Sequence, residues 1–239
     1  MPPATELVRS KTGLIYRLRR GQPHGSLIVM LHGLSGDEHA MWIFDRALAR
    51  SATVIAPRAL YASEFGGYSW ARAVGRGEFD QASFQEAIDH LSRFMHEMSA
   101  LYPADPQRVI VMGFSQGAAL SYAFSLAYPE LLRGVIALAG FLPNPSSALP
   151  SAPAPWLAHT PAGTRAKSRA RRDVSQPSYL IIHGTHDEAV PIDRAREARS
   201  VMERLGASVE YHEHRVGHKV SAQGMKEIAR WVAETLREF

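Results

Sequence analysis

The chain has no cysteine among its 239 residues. Disulfides and thiolate metal sites are therefore excluded, and cysteine usage carries no signal of redox compartment. No stretch approaches the ~20 apolar residues that a membrane-spanning helix needs. The opening residues, "MPPATELVRSKTG", lack the apolar run of a signal peptide. A soluble, cytoplasmic protein without a membrane span is the expectation. Charge of one sign is not gathered anywhere on a large scale: the net charge is +4, with Lys and Arg interleaved among Glu and Asp. A nucleic-acid binder usually concentrates such charge on one face, so no nucleic-acid partner is expected. The exception, "RAKSRARR" at 165–172, reads as a solvated loop. Internal repeats are absent too.

What is present suits one sizeable core. The chain is 46% hydrophobic and 21% charged, an ordinary balance for a globular protein, and a single domain over 1–239 is expected. Strand-like and helix-like segments alternate. "SLIVMLHG", "ATVIAPRA", "QRVIVMGF", "LRGVIALAG", "SYLIIHG" and "SVEYHEH" read as strands. Between and after them, "FDQASFQEAIDHLSRFMHEMSALY", the residues following Ser115, "DRAREARSVMERLG" and "SAQGMKEIARWVAETLREF" read as helices, the first with Phe84, Ile88, Leu91 and Met95 on one face. This alternation implies an α/β fold with a mostly parallel central sheet and helices on both faces.

Residues 142–178 break the pattern. They are rich in Pro, Ala, Ser and Arg and carry no apolar periodicity. A loop of that length inside a compact domain is uncommon. Both of its ends lead to strands of the expected active edge. It is expected either to form an apolar lid, using Phe141, Leu142, Leu149, Trp156 and Leu157, or to be a disordered insertion.

The chemical signal lies in "VIVMGFSQGAALSYAFSLAYPE", residues 109–130. Apolar residues run into Gly113, and Ala, Leu and Phe follow Gly117 at helical spacing. Ser115 therefore sits where a strand turns sharply into a helix, the arrangement that lifts a nucleophilic hydroxyl over the end of a sheet. A serine hydroxyl is a weak nucleophile at neutral pH and needs a base to take its proton and a carboxylate to orient that base. Asp187 follows in "LIIHGTHDEAVP", just past a buried strand. Its alternative role is that of a turn or cap residue, although Asp193 is the better capping candidate for the next helix. His218 follows in "HRVGHKVS", in a Gly-flanked loop. Of the eleven histidines, His90 and His96 fall within a helix, and His212 and His214 share one strand face. The order nucleophile, acid, histidine is that of α/β hydrolases.

"LHGLSGDEHAMW" adds a Gly-containing loop after a strand. It lacks the Lys-Ser/Thr pair of a phosphate-binding loop. Such a loop aims a backbone N–H at a developing oxyanion. The candidate donors are the amides of Leu34 and of Gln116, the residue after the nucleophile; the alternative is a simple strand–helix connection.

With these residues in place, the chain resembles the α/β-hydrolase superfamily. Within it, the chain is most similar to the phospholipase/carboxylesterase family that includes acyl-protein thioesterases. "LHGLSGDE", "APRAL", "GGYSW", "GFSQGAALS", "HGTHDEAVP" and "VGHKVS" carry the resemblance from about residue 26 to the end. It implies a metal-free serine carboxylesterase acting on short- to medium-chain esters, with Ser115, Asp187 and His218 as triad and no cofactor. It also implies that Trp70 lines the acyl or alcohol pocket, unless that tryptophan merely packs in a loop. Residues 142–178 depart from the family, which is usually shorter there. The expected partner is a small-molecule ester, and the expected state a monomer or homodimer. The runner-up activity is that of an acyl-protein or acyl-CoA thioesterase or lysophospholipase. Two rivals come from other classes. One is a metal-dependent hydrolase built on "HGTHD" and "YHEH". The other is a non-catalytic binding module on a hydrolase fold.

Overall fold

Five consecutive apolar residues, Leu27–Leu31, form a strand with every side chain buried, as a central strand covered on both faces requires. A computed structural model of the protein describes residues 5–75, 78–102, 108–143 and 176–236. In chain order its strands are β1 (Glu6–Arg9), β2 (Ile15–Arg19), β3 (Leu27–Leu31), β4 (Thr53–Pro57), β5 (Tyr61–Ala62), β6 (Tyr68–Ser69), β7 (Ala73–Gly75), β8 (Glu78–Phe79), β9 (Val109–Phe114), β10 (Gly134–Leu138), β11 (Ser178–Gly184) and β12 (Val209–His214). The helices are α1 (Gln81–Leu101), α2 (Gln116–Ala127), α3 (Ile192–Arg204) and α4 (Ala222–Thr235), with a 3₁₀ helix over Ala40–Ala47.

Eight strands make the central sheet in the order β1-β2-β4-β3-β9-β10-β11-β12. From β4 to β12 every pairing is parallel, and β1–β2 and β2–β4 are antiparallel. Helices α1, α2 and α3 cover one face of the sheet through Phe84, Leu91, Leu120, Phe124 and Val201. The 3₁₀ helix and α4 cover the other through Met41, Phe44, Ile228 and Trp231. This is the doubly covered, mostly parallel sheet expected from the alternating pattern. No helix among the described residues is long and apolar enough to cross a membrane.

Three local features differ from the sequence reading. Strands β1 and β2 extend the sheet from the N-terminal stretch, which had offered no strand signal. "ELVR" is mostly exposed and "IYRLR" is interrupted by arginines, so neither is a plain apolar run. Asp193 does not cap α3: the helix starts one residue earlier, after Pro191, and Asp193 lies in its first turn, where a carboxylate favours the positive end of the helix. Of the expected lid residues, Leu142 is buried in the core, and Phe141 stacks parallel on Phe79 at 6.5 Å. Leu149, Trp156, Leu157 and "RAKSRARR" lie outside the described residues.

Candidate active site

Strand β9 runs between β3 and β10, and its last residue pairs with Leu138. Directly after it, Ser115 adopts φ 54° and ψ −116°, left-handed backbone that a residue with a Cβ avoids. Strain of this kind costs about 1–3 kcal/mol and persists only where the surroundings over-determine it. Here the Ser115 N–H donates to the Leu138 carbonyl at 2.9 Å, while the Ser115 carbonyl accepts the first-turn amides of Ala118 and Ala119. The flanking glycines answer to close packing. A Cβ on Gly113 would meet the Gly117 carbonyl oxygen at 2.2 Å, and one on Gly117 would meet the Leu31 carbonyl oxygen at 2.1 Å. Strand and helix touch backbone to backbone under the serine.

Asp187 and His218 reach the same edge from the loops after β11 and β12. Backbone bonds from Thr185 to His214 and from His186 to Val216 tie the two loops together. Asp187 Oδ2 lies 2.7 Å from His218 Nδ1. Asp187 Oδ1 accepts the amides of Ala189 at 3.0 Å and Val190 at 2.8 Å. An ionised carboxylate only accepts, so the proton of the neutral imidazole sits on Nδ1 and leaves Nε2 as the basic nitrogen. The imidazole packs against the ring of Phe114, the residue before the serine, at 4.9 Å. The Ser115 hydroxyl has no hydrogen-bond partner among the described residues. Nearby His183 is fully buried, donates from Nε2 to the Val190 carbonyl at 2.8 Å, and lies 3.4 Å from Asp187 Oδ2. Burial holds its imidazole below its ordinary pKa and so neutral. His183 is the next-to-last residue of β11 and opens the "HGTHD" segment offered for a metal; its place behind Asp187 was not read from the sequence.

The loop after β3 completes the edge. A Cβ on Gly33 would lie 3.3 Å from the Ser115 Cβ, so this loop borders Ser115. No described residue accepts the backbone N–H of Leu34 or of Gln116, and an unpaired amide at a helix start is a ready donor. Trp70 packs inward in its loop, the second of its two expected roles. Its side chain is 1% exposed, its Nε1–H donates to the His32 carbonyl at 2.8 Å, and its ring packs on His32 at 5.2 Å. It lines no open surface; its indole needs a buried acceptor and finds one in the loop. The side chain of Gln116 is tied to the same segment, accepting from the Trp70 amide at 2.9 Å and donating to Ser69 Oγ at 3.0 Å.

Of the histidines offered for a metal, His183 is bonded to the Val190 carbonyl and the two of "YHEH" to carboxylates. His212 bonds Glu210 at 2.6 Å, and His214 bonds Glu227 at 2.9 Å. Among the described residues no three His, Asp or Glu side chains converge as metal ligands.

The phospholipase/carboxylesterase family model matches residues 18–236. The chain belongs to the phospholipase/carboxylesterase family. Its curated relatives are named carboxylesterases and acyl-protein thioesterases, one of them a "probable inactive carboxylesterase". Carboxylesterase SOBER1 of Arabidopsis thaliana is 26% identical over 66% of this chain and 61% of its own length, so the chain matches less than two thirds of that relative. Acyl-protein thioesterase 1 of Yarrowia lipolytica is 25% identical over 90% of this chain and 94% of its own. Among solved structures, a carboxylesterase from Mesorhizobium loti superposes with a TM-score of 0.76 over 96% of this chain and 98% of that one, at 22% identity. The likeness of fold is that of an α/β hydrolase, as the sheet order describes.

Proposed function

We propose that this member of the phospholipase/carboxylesterase family is a single-domain serine carboxylesterase acting on short- to medium-chain esters through an acyl-enzyme. The observation that carries the reading is the strained Ser115 at the end of β9, on the sheet edge that also carries the paired Asp187 and His218. Ser115 Oγ attacks the acyl carbonyl carbon while His218 Nε2 takes the hydroxyl proton. The carbonyl oxygen becomes an oxyanion facing the amides of Leu34 and Gln116. Its collapse expels the alcohol, which takes the proton from His218. Water then attacks the acyl-enzyme by the same route and releases the acid. Asp187 holds the Nδ1–H tautomer and stabilises the imidazolium.

The test is Ser115→Ala, with mass-spectrometric location of a fluorophosphonate adduct. The variant should fold and lose activity by roughly 10⁴- to 10⁶-fold. Retention of more than a tenth of wild-type activity, or an adduct on another residue, would sink the assignment. A second reading, thioester hydrolysis, is favoured by the near full-length match to an acyl-protein thioesterase. Turnover of a matched oxoester and thioester of equal acyl length separates the two.

A further inference from the structure

The proposed chemistry uses His218 and leaves His32 without a role, although His32, near the serine, has no exposed surface. Its ring lies under the loop after β3 and makes two hydrogen bonds. Nε2 lies 3.0 Å from the backbone nitrogen of Ala59, which can only donate. Nδ1 lies 2.7 Å from the Gly33 carbonyl oxygen, which can only accept. A single tautomer satisfies both contacts: neutral, with the proton on Nδ1. Burial also favours the neutral form.

The Gly33 carbonyl belongs to the same peptide unit as the Leu34 N–H. No peptide bond among the described residues is cis. In a planar trans unit the C=O and N–H point in opposite directions, so fixing one aims the other. We propose that His32 is a positioning residue that sets the Gly33–Leu34 peptide and so points the Leu34 N–H at the reacting carbonyl oxygen. A second donor holds the same carbonyl: the Gly36 amide lies 3.1 Å from the Gly33 oxygen. A Cβ at Gly36 would come within 2.7 Å of His32 Nδ1, so the loop closes directly on the ring. Trp70 fixes the residue from behind, donating to the His32 carbonyl at 2.8 Å, while its own amide donates to the Gln116 side chain at 2.9 Å. The residues that carry the two candidate oxyanion amides are thus joined by one buried chain of contacts through His32 and Trp70.

The inference rests on the esterase reading and has a test that separates the two. Asn can place an amide N–H near the position of Nδ1, whereas Gln reaches the position of Nε2. His32→Asn should therefore keep the bond to Gly33 and hold kcat within about tenfold of wild type. His32→Gln should keep the Ala59 contact but lose about 10- to 100-fold in kcat, part of the effect of deleting an oxyanion donor. KM should move little in either. A trifluoromethyl ketone provides a direct probe. Ser115 Oγ adds to its carbonyl carbon, the hydroxyl proton passes to His218, and the carbonyl oxygen becomes an anion in the hole. Its inhibition constant should rise in step with the loss of kcat/KM in His32→Gln, while the acid limb of the pH profile keeps its position. Gly36→Ala, which leaves the imidazole in place chemically but crowds Nδ1, should weaken the ketone in the same way and serves if His32→Gln does not fold. Equal losses in Asn and Gln, or an unchanged inhibition constant, would overturn the role of His32. Wild-type enzyme insensitive to the ketone would overturn the esterase reading itself, and this one with it.

Discussion

The two sides of the site are built differently. The oxyanion side is braced by buried side chains: His32, Trp70 and Gln116 hydrogen-bond to backbone groups of neighbouring segments, and all three are almost fully excluded from solvent. The acid–base side is held mainly by backbone bonds, with one buried side chain, His183, bonded to the Val190 carbonyl behind Asp187. Asp187 takes the amides of its own loop, and His218, with a side chain 28% exposed, has the carboxylate as its hydrogen-bond partner. The difference fits what the proposed reaction asks of each side. An oxyanion hole works by being preorganised, with no reorganisation at the moment of reaction. The imidazole must instead accept a proton from one group and hand it to another. The oxyanion side is closed, as an aimed dipole requires; on the other side the carboxylate is buried and the imidazole stays partly exposed, as proton transfer requires.

Four substitutions would break or sharpen this contrast. The largest effect is expected for Asp187→Asn. The amide can still accept from the loop, but its NH₂ opposes the Nδ1–H of His218 and selects the wrong tautomer. The drop in kcat should be on the order of 10⁴-fold with little change in circular dichroism. A drop smaller than tenfold would remove Asp187 from the chemistry.

Gly117→Ala should be next, and should act on stability. Its Cβ meets the Leu31 carbonyl oxygen at 2.1 Å, and neither backbone can move freely. About 3 kcal/mol is expected, read as a fall in Tm of roughly 6–12 °C.

Glu38→Gln probes the wider brace of the oxyanion side. Arg58 donates to both oxygens of the buried Glu38 at 2.7 Å and holds its pKa down to about 2. A depressed carboxylate contributes stability above its unfolded pKa and loses it as pH falls towards its folded one. Wild type should therefore exceed the variant by roughly 2 kcal/mol at pH 7. The gap should close between about pH 4.5 and 2 in denaturant titrations; a gap independent of pH would refute the pairing.

The smallest effect belongs to the acid–base side. A Cβ on Gly217 meets nothing closer than the His186 carbonyl oxygen at 3.6 Å. Gly217→Ala should change stability by less than about 0.5 kcal/mol and leave kcat near wild type. A loss as large as that of Gly117→Ala would mean that this loop is as tightly built as the oxyanion side.

Much of the proposed site was legible in the chain because its signals are local. The change from the apolar run over 109–112 to helical spacing around Ser115 is a matter of adjacent residues, and the observed strand and helix begin and end at those positions. The role of Trp70 stayed open between pocket and packing for the opposite reason. "GGYSW" contains nothing to say that its indole turns inward to a carbonyl 38 residues earlier in the chain. The first two strands escaped notice because edge and near-edge strands with polar residues lack the continuous apolar run that marked the central ones.

By itself the sequence determined the alternation of elements, and with it a parallel sheet, the turn that carries Ser115, and the order in which an acid and a histidine follow. Periodicity and turn chemistry act over a few residues and survive without knowledge of the fold. Only the tertiary structure decided which histidine faces which partner. His218 meets Asp187 across 31 positions, and His32 reaches Ala59 across 27. Those meetings depend on sheet order and on how two loops cross at one edge. Hydrogen bonds between distant segments form only where packing brings donor and acceptor within about 3 Å of each other.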